Sequence, residues 1–155
     1  MSALRRTLLA GAAALALQLL VPATASAACT ISVTSVSFGS YSVYTTSPDD
    51  STGTITYRCG NSDKNITVTV SAGTAGTFSP RTMKQGASDQ PSYNLYTDAT
   101  RATIWGDGTA GTSFYSKSNP PNGQDTVLTV YGRILAQQDV RVGSYTDTVI
   151  ATVNF

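Results

Sequence analysis

Apolar and polar residues alternate in short runs along most of the chain. Cys29-Thr30-Ile31-Ser32-Val33 puts every second residue on one face; Val36 and Phe38 resume that face after a local irregularity, and Gly39 breaks the run. Residues 45–53, with Pro48 and two aspartates, read as an exposed loop. The alternation returns over 53–59, grouping Ile55, Tyr57 and Cys59, and residues 60–63 (Gly-Asn-Ser-Asp) turn the chain. NITVTVS at 65–71 places Ile66, Val68 and Val70 on a buried side. Residues 72–90, rich in Gly, Ser and Thr, predict a loop with one short strand around Arg81 to Met83. Strands are predicted at 93–97, 102–105, 126–134 and 145–155, with a turn at Gly106-Asp107-Gly108 and a loop at 116–124.

No window carries a sustained helical period. About seven short strands separated by turn signals predict an all-β sandwich of immunoglobulin-like kind. The last run puts Val149, Ala151, Val153 and Phe155 on one face and Ile150 on the other. A sandwich that stops on an apolar strand is expected to leave an edge exposed.

Residues 1–27 stand apart from this pattern. Arg5 and Arg6 precede an apolar run from Leu8 to Val21 broken only by Gln18, and Ala25-Ser26-Ala27 has the small-residue spacing of a cleavage site. This reads as a secretory signal cut after Ala27, which leaves 28–155 as one exported domain. No later stretch is apolar enough for a membrane helix.

Charge narrows the function classes. Only 12% of residues are charged and the net charge is +1, so no electrostatic footprint for nucleic acid or an anionic membrane appears. There is no histidine, hence no Ser-His relay and no histidine metal site, and the carboxylates show no pairing in sequence. The expectation is a protein without catalysis, metal or cofactor.

The two cysteines, Cys29 and Cys59, admit three readings. A lipid on Cys29 would call for a leucine-containing lipobox, whereas Ser26 stands three residues before it. A metal needs more ligands than two thiols. A Cys29–Cys59 bridge uses both thiols in an oxidising compartment, and it is the reading the residues favour. Closing that loop would restrict the unfolded chain by about 3 to 4 kcal/mol.

Other features invite functional readings of lesser weight. Trp105 with Asp107 could contact a ligand, though a buried aromatic before a tight turn is the commoner arrangement. Tyr93, Tyr96, Tyr115, Tyr131 and Tyr145 could form an adhesive surface, though strand tyrosines more often pack their rings. The stretch from Phe114 to Gln124 is the best candidate contact loop. Asn65-Ile66-Thr67 matches a glycosylation sequon in a predicted buried strand.

An ordered set of stretches carries a family resemblance. It comprises Cys29, the VSFGSY run from Val36 to Tyr41, Cys59, Arg81-Thr82-Met83, the YNLYTDA run from Tyr93, Trp105-Gly106-Asp107-Gly108, the VYGRI run from Val130, and GSYTDTV from Gly143 with its apolar tail to Phe155. On these residues the domain resembles the spore coat protein U domain family, which includes subunits of archaic, Csu-type chaperone-usher pili. The resemblance implies an incomplete immunoglobulin-like β-sandwich lacking its last strand, completed by a donor strand from another chain. It implies as partners a periplasmic chaperone in transit, an outer-membrane usher, and other pilus subunits on the cell surface. The implied acceptor groove is lined by Ile31, Val33, Val36, Phe38, Val149, Ala151, Val153 and Phe155, with the terminal carboxylate at the chaperone's docking end. Polymerising subunits of this kind carry an extension ahead of the first cysteine. Cleavage after Ala27 would leave one residue there, so the expectation is a fibre-end subunit or a coat component that accepts a strand without offering one. The alternatives are a spore or cell coat protein and a self-contained binding module.

Overall fold

Two ten-residue strands form the spine of the molecule. The computed structural model describes residues 29–60, 63–86 and 89–155; the leader and cleavage site expected over 1–27 lie outside the described residues. Strand β2 (Asp49–Arg58) pairs antiparallel with β7 (Asp125–Ile134) along its whole length, from Asp49 opposite Ile134 to Arg58 opposite Asp125. Around them lie β1 (Thr30–Thr34), β3 (Ile66–Val70), β4 (Arg81–Thr82), β5 (Ser92–Tyr96), β6 (Tyr115–Lys117) and β8 (Ala151–Asn154). One sheet has the order β1-β2-β7-β5-β4 and the other β6-β3-β8. This is an immunoglobulin-like arrangement in which a further strand would sit beyond β8. Among the described residues none does.

The core forms where the alternating faces meet. Ile55 and Tyr57 of β2, Val130 and Ile134 of β7, and Tyr93 and Leu95 of β5 face Ile66, Val68 and Val70 of β3. Trp105 is buried among them and donates its indole N–H to the Val68 carbonyl at 3.0 Å. Tyr57 and Tyr115 join their hydroxyls across the interior at 3.2 Å.

Several sequence expectations shift in the structure. The stretch read as a loop to Gly53 is already strand from Asp49, because Arg133 on the neighbouring β7 grips Asp50 through two nitrogens at 2.7 and 2.8 Å. Arg101 adds a third contact to that carboxylate at 3.1 Å, and the cationic partners hold the Asp50 carboxyl below its ordinary pKa. Residues 102–105 make only isolated bridges, Ile104 with Tyr96 and Trp105 with Ser113. The expected loop after Tyr115 begins as β6, and the last strand is confined to Ala151–Asn154 because Thr146 pairs instead with Lys84. Asn65 lies just before β3, exposed and with φ 55°, rather than inside a buried strand.

A buried cation ties the loops to the sandwich. Arg81 is fully buried with no carboxylate partner among the described residues. Its guanidinium instead donates twice to the Ser71 carbonyl, once to the Trp105 carbonyl at 2.7 Å and once to Asn94 Oδ1 at 2.7 Å. The Phe78 ring lies 5.2 Å away. Five fixed N–H groups suit Arg to this span in a way no lysine could match. Beside it, burial would push the Asp147 carboxyl up, but donations from the Tyr93 hydroxyl (2.6 Å), from Thr74 and from the Thr148 N–H outweigh that and hold it below its ordinary value.

Two outcomes follow for stability. Arg81→Met leaves the Ser71 and Trp105 carbonyls without their donor and is expected to cost about 3 kcal/mol in urea unfolding, with Arg81→Lys recovering little of it. The depressed Asp147 pKa means its contribution is fully present above pH of about 4 and is lost as pH falls through the folded-state value. Asp147→Asn is therefore expected to be less stable than the wild type near neutrality and to lose less stability on acidification, as read by thermal melts across pH.

Candidate functional site: an open seam between two sheet edges

Strand pairing fixes which way the edge residues point. Ile31 lies opposite Tyr57 and Val33 opposite Ile55, and directly opposed residues of an antiparallel pair share a face. Tyr57 and Ile55 are buried, so Ile31 and Val33 also point inward. Yet Ile31 is 38% and Val33 58% exposed, and every residue of β1 is open to solvent. Strand β8 of the opposite sheet comes near β1 and still leaves these side chains largely in solvent.

The facing edge has the same character. Val153 of β8 lies opposite Val68 and Ala151 opposite Val70, so both face the core, and with Val149 they are half-buried against it. Continuing the register one step puts Phe155 on that inward side, still largely exposed. Ile150 has the opposite parity and is 64% exposed. Strand β1 ends one sheet and β8 ends the other, and the two form no ladder with each other. Each offers unpaired backbone N–H and C=O groups to an extended segment.

Inward of the edges, Val36 and Phe38 lie on the inner face of the larger sheet. After β1 the chain crosses the inner face of its own sheet at two glycines. A Cβ on Gly132 would lie 2.7 Å from both Val36 and Phe38, and one on Gly53 would lie 2.5 Å from the Thr34 carbonyl and 3.0 Å from Val36. The space left by those missing side chains seats Val36 and Phe38, and Phe38 packs edge-on against Tyr93 at 6.2 Å. The structure thus brings Ile31, Val33, Val36, Phe38, Val149, Ala151 and Val153 to one seam, with Phe155 at its end. A glycine inside a strand pattern is a known mark of close backbone approach, and Gly53 and Gly132 are two such positions.

Cys29 and Cys59 form a disulfide, Cα to Cα 4.1 Å, one step beyond the pairing of Thr30 with Arg58. It pins the start of β1 to the end of β2. Asp63 lies near both sulfurs, but disulfide sulfurs are not thiolate ligands for a metal.

The lesser candidates resolve into structure. Asp107 accepts from the N–H and hydroxyl of Thr109, which hold its carboxyl below the ordinary value while it faces solvent. The tyrosines do not assemble into one surface. Tyr93 is buried against Asp147, Tyr115 meets Tyr57 inside, Tyr131 lies beneath Arg101, and Tyr145 donates to the Arg141 carbonyl.

Comparison with known proteins places this geometry in a family. Over 87 residues the chain is 39% identical to "Protein U" of Myxococcus xanthus, an alignment covering 54% of this chain and 45% of that protein. Its fold is similar to a chain in the crystal structure of the CsuC-CsuE chaperone-tip adhesion subunit pre-assembly complex from archaic chaperone-usher Csu pili of Acinetobacter baumannii. There the TM-score is 0.58 at 21% identity, over 82% of this chain and 39% of that one. The chain therefore spans less than half the length of these two relatives. The family model of the Spore Coat Protein U domain matches residues 15–152, a span that takes in β1, Val36, Phe38 and Val149 and stops short of Val153 and Phe155. With that match over nearly all of its length, the chain belongs to the spore coat protein U domain family.

Proposed function

We propose that the chain is an exported structural or adhesive subunit of a chaperone-usher fibre, and that it works by accepting an extended strand from another polypeptide between β1 and β8. The observation that carries this reading is the pair Ile31 and Val33, apolar side chains aimed at the core and left in water. A donor with alternating apolar residues would cover them and the half-buried row on β8, and its backbone would pair with both edges. Burying about four such side chains gains on the order of 6 to 12 kcal/mol before ordering costs. The donor is a periplasmic chaperone during export and a neighbouring subunit after delivery through an outer-membrane usher. The similarity to a chain from a chaperone-tip adhesion subunit complex supports this choice of partners. A coat role is the second reading, favoured by the identity shared with Protein U; it differs in predicting matrix association without an usher.

Three variants test the seam. Val33→Asp alters a residue already exposed, so the unfilled domain should be no worse than before. Carrying a charge into a dry seam, however, should abolish recovery of a chaperone complex from the periplasm. Ile31→Asp is expected to behave likewise, while Ile150→Asp, on the outward side, should leave recovery at the wild-type level. Equal recovery of all three would remove the seam as the acceptor site. N-terminal sequencing of the exported protein bears on its place in the fibre. A start at Ala28 is expected for a terminal acceptor, and a start well before it would leave residues to donate onward.

A further inference from the structure

One inward-pointing acid has no partner. Asp49 opens β2 opposite Ile134, and because Ile134 is buried and directly opposed residues share a face, Asp49 points toward the interior. Its Oδ2 is shut off from solvent and accepts no hydrogen bond, and among the described residues no ion pair reaches the group. The next residue, Asp50, has the reverse fate on the outer face, where Arg133 and Arg101 hold it. Of two adjacent acids, the sheet satisfies one and strands the other.

The chain reaches Asp49 through the loop 39–48. That loop leaves the inner face of the sheet after Phe38 at Gly39 (φ +74°) and turns again where the Thr45 N–H donates to the Ser42 carbonyl at 3.2 Å. Its near end is clamped twice. Ser51, inward like Asp49, donates its hydroxyl to the Ser37 carbonyl, and the Tyr41 hydroxyl donates to the Leu135 carbonyl and accepts from the Gln138 N–H, both at 2.8 Å. Beyond Tyr41 the loop and Asp49 wall a hollow of about 220 Å³, to which Ser40, Thr45 and Ser47 also contribute.

A buried carboxylate oxygen without a donor is costly, whereas the protonated group can donate its O–H to a loop hydroxyl. Nothing that faces Asp49 offers a counter-charge. Strand β7 sets Ile134 opposite it and turns Arg133 to Asp50. The loop brings Tyr41, whose hydroxyl is taken up, and Tyr44, which is 89% exposed. The segment after β7 meets the loop through Leu135 and Gln138, neither of them charged. We propose that Asp49 is a proton-operated latch: neutral, it lets residues 39–48 close on the inner face of β2; ionised, it holds them off. Burial, with the like charge of Asp50 adding to it, pushes the Asp49 carboxyl up. The folded domain thus holds this proton more tightly than the unfolded chain does. The stability it contributes is present below pH of about 4 and is lost as pH rises through the folded-state value. Asp50 and Asp147 run the opposite way. Because the loop continues from Val36 and Phe38, acid firms the inner side of the seam; that consequence rests on the strand-accepting reading, whereas the latch does not.

The exported protein, with whatever strand completes its seam, is compared with Asp49→Asn and Asp49→Val by thermal melts across pH. Near neutrality both variants are expected to melt about 2 to 4 °C above the wild type, and the gap should close as pH falls to about 4. Amide protection over residues 40–47, corrected for the intrinsic exchange rate, should rise about threefold or more in the wild type over the same fall in pH. In the variants it should be high throughout. Asp49→Asn keeps the size of the side chain and remains informative should Asp49→Val fail to fold. Recovery of the chaperone complex is the separate readout on which the seam stands or falls. The latch is overturned if neither variant melts above the wild type near neutrality, or if loop protection ignores pH. It is equally overturned if calcium chloride at about 10 mM protects the wild-type loop near neutrality where acid does not, which would make the hollow a cation site.

Discussion

A β-sheet buries only the face that another sheet covers, and here five strands lie against three. The central pair β2 and β7 is covered by β3, and its inward residues Ile55, Tyr57, Val130 and Ile134 are buried. Strand β1 follows the same alternation and points the same way, but it overhangs the smaller sheet and stays exposed. The shortage of one strand beyond β8 therefore explains three things together: the open β1, the half-buried row on β8, and the use of Val36 and Phe38 as partial filling.

Much of this was legible in the residues because sheet structure writes itself with a period of two. The runs ending at Cys59 and Val70 show their inward faces in the sequence, since each is covered and the burial agrees with the pattern. The apolar character of Ile31 and Val33 was equally visible, but alternation reports the direction of a side chain and not whether anything lies in front of it. The acidic start of β2 misled because Asp49 and Asp50 carry a loop signature, and only the cross-strand grip of Arg133 reveals why a strand tolerates them there. The glycines at 53 and 132 are silent in a binary pattern, yet they let the chain cross its own sheet.

The polar interior compensates for a domain with little charge. Arg81 is held by carbonyls and an amide rather than by a carboxylate, so its positive charge is spread over fixed dipoles of β3, β5 and the turn after Trp105. Asp147, beside it, fastens the lead-in to β8 through Tyr93 and Thr74. Asp147 stands two residues before Val149, and Tyr93, which holds it, also packs against Phe38.

The disulfide acquires a mechanical meaning from its position. Strand β1 has a neighbour on one side only, so tension drawn through a polypeptide lodged against it would tend to strip it from β2. Pulling along the strand axis loads its five ladder pairs in shear, and Cys29–Cys59 anchors the end at which peeling would begin. A covalent rivet there passes the force into the ten-residue ladder of β2 and β7, the longest among the described residues. The tie that restricts the unfolded chain thus also routes traction through the finished one.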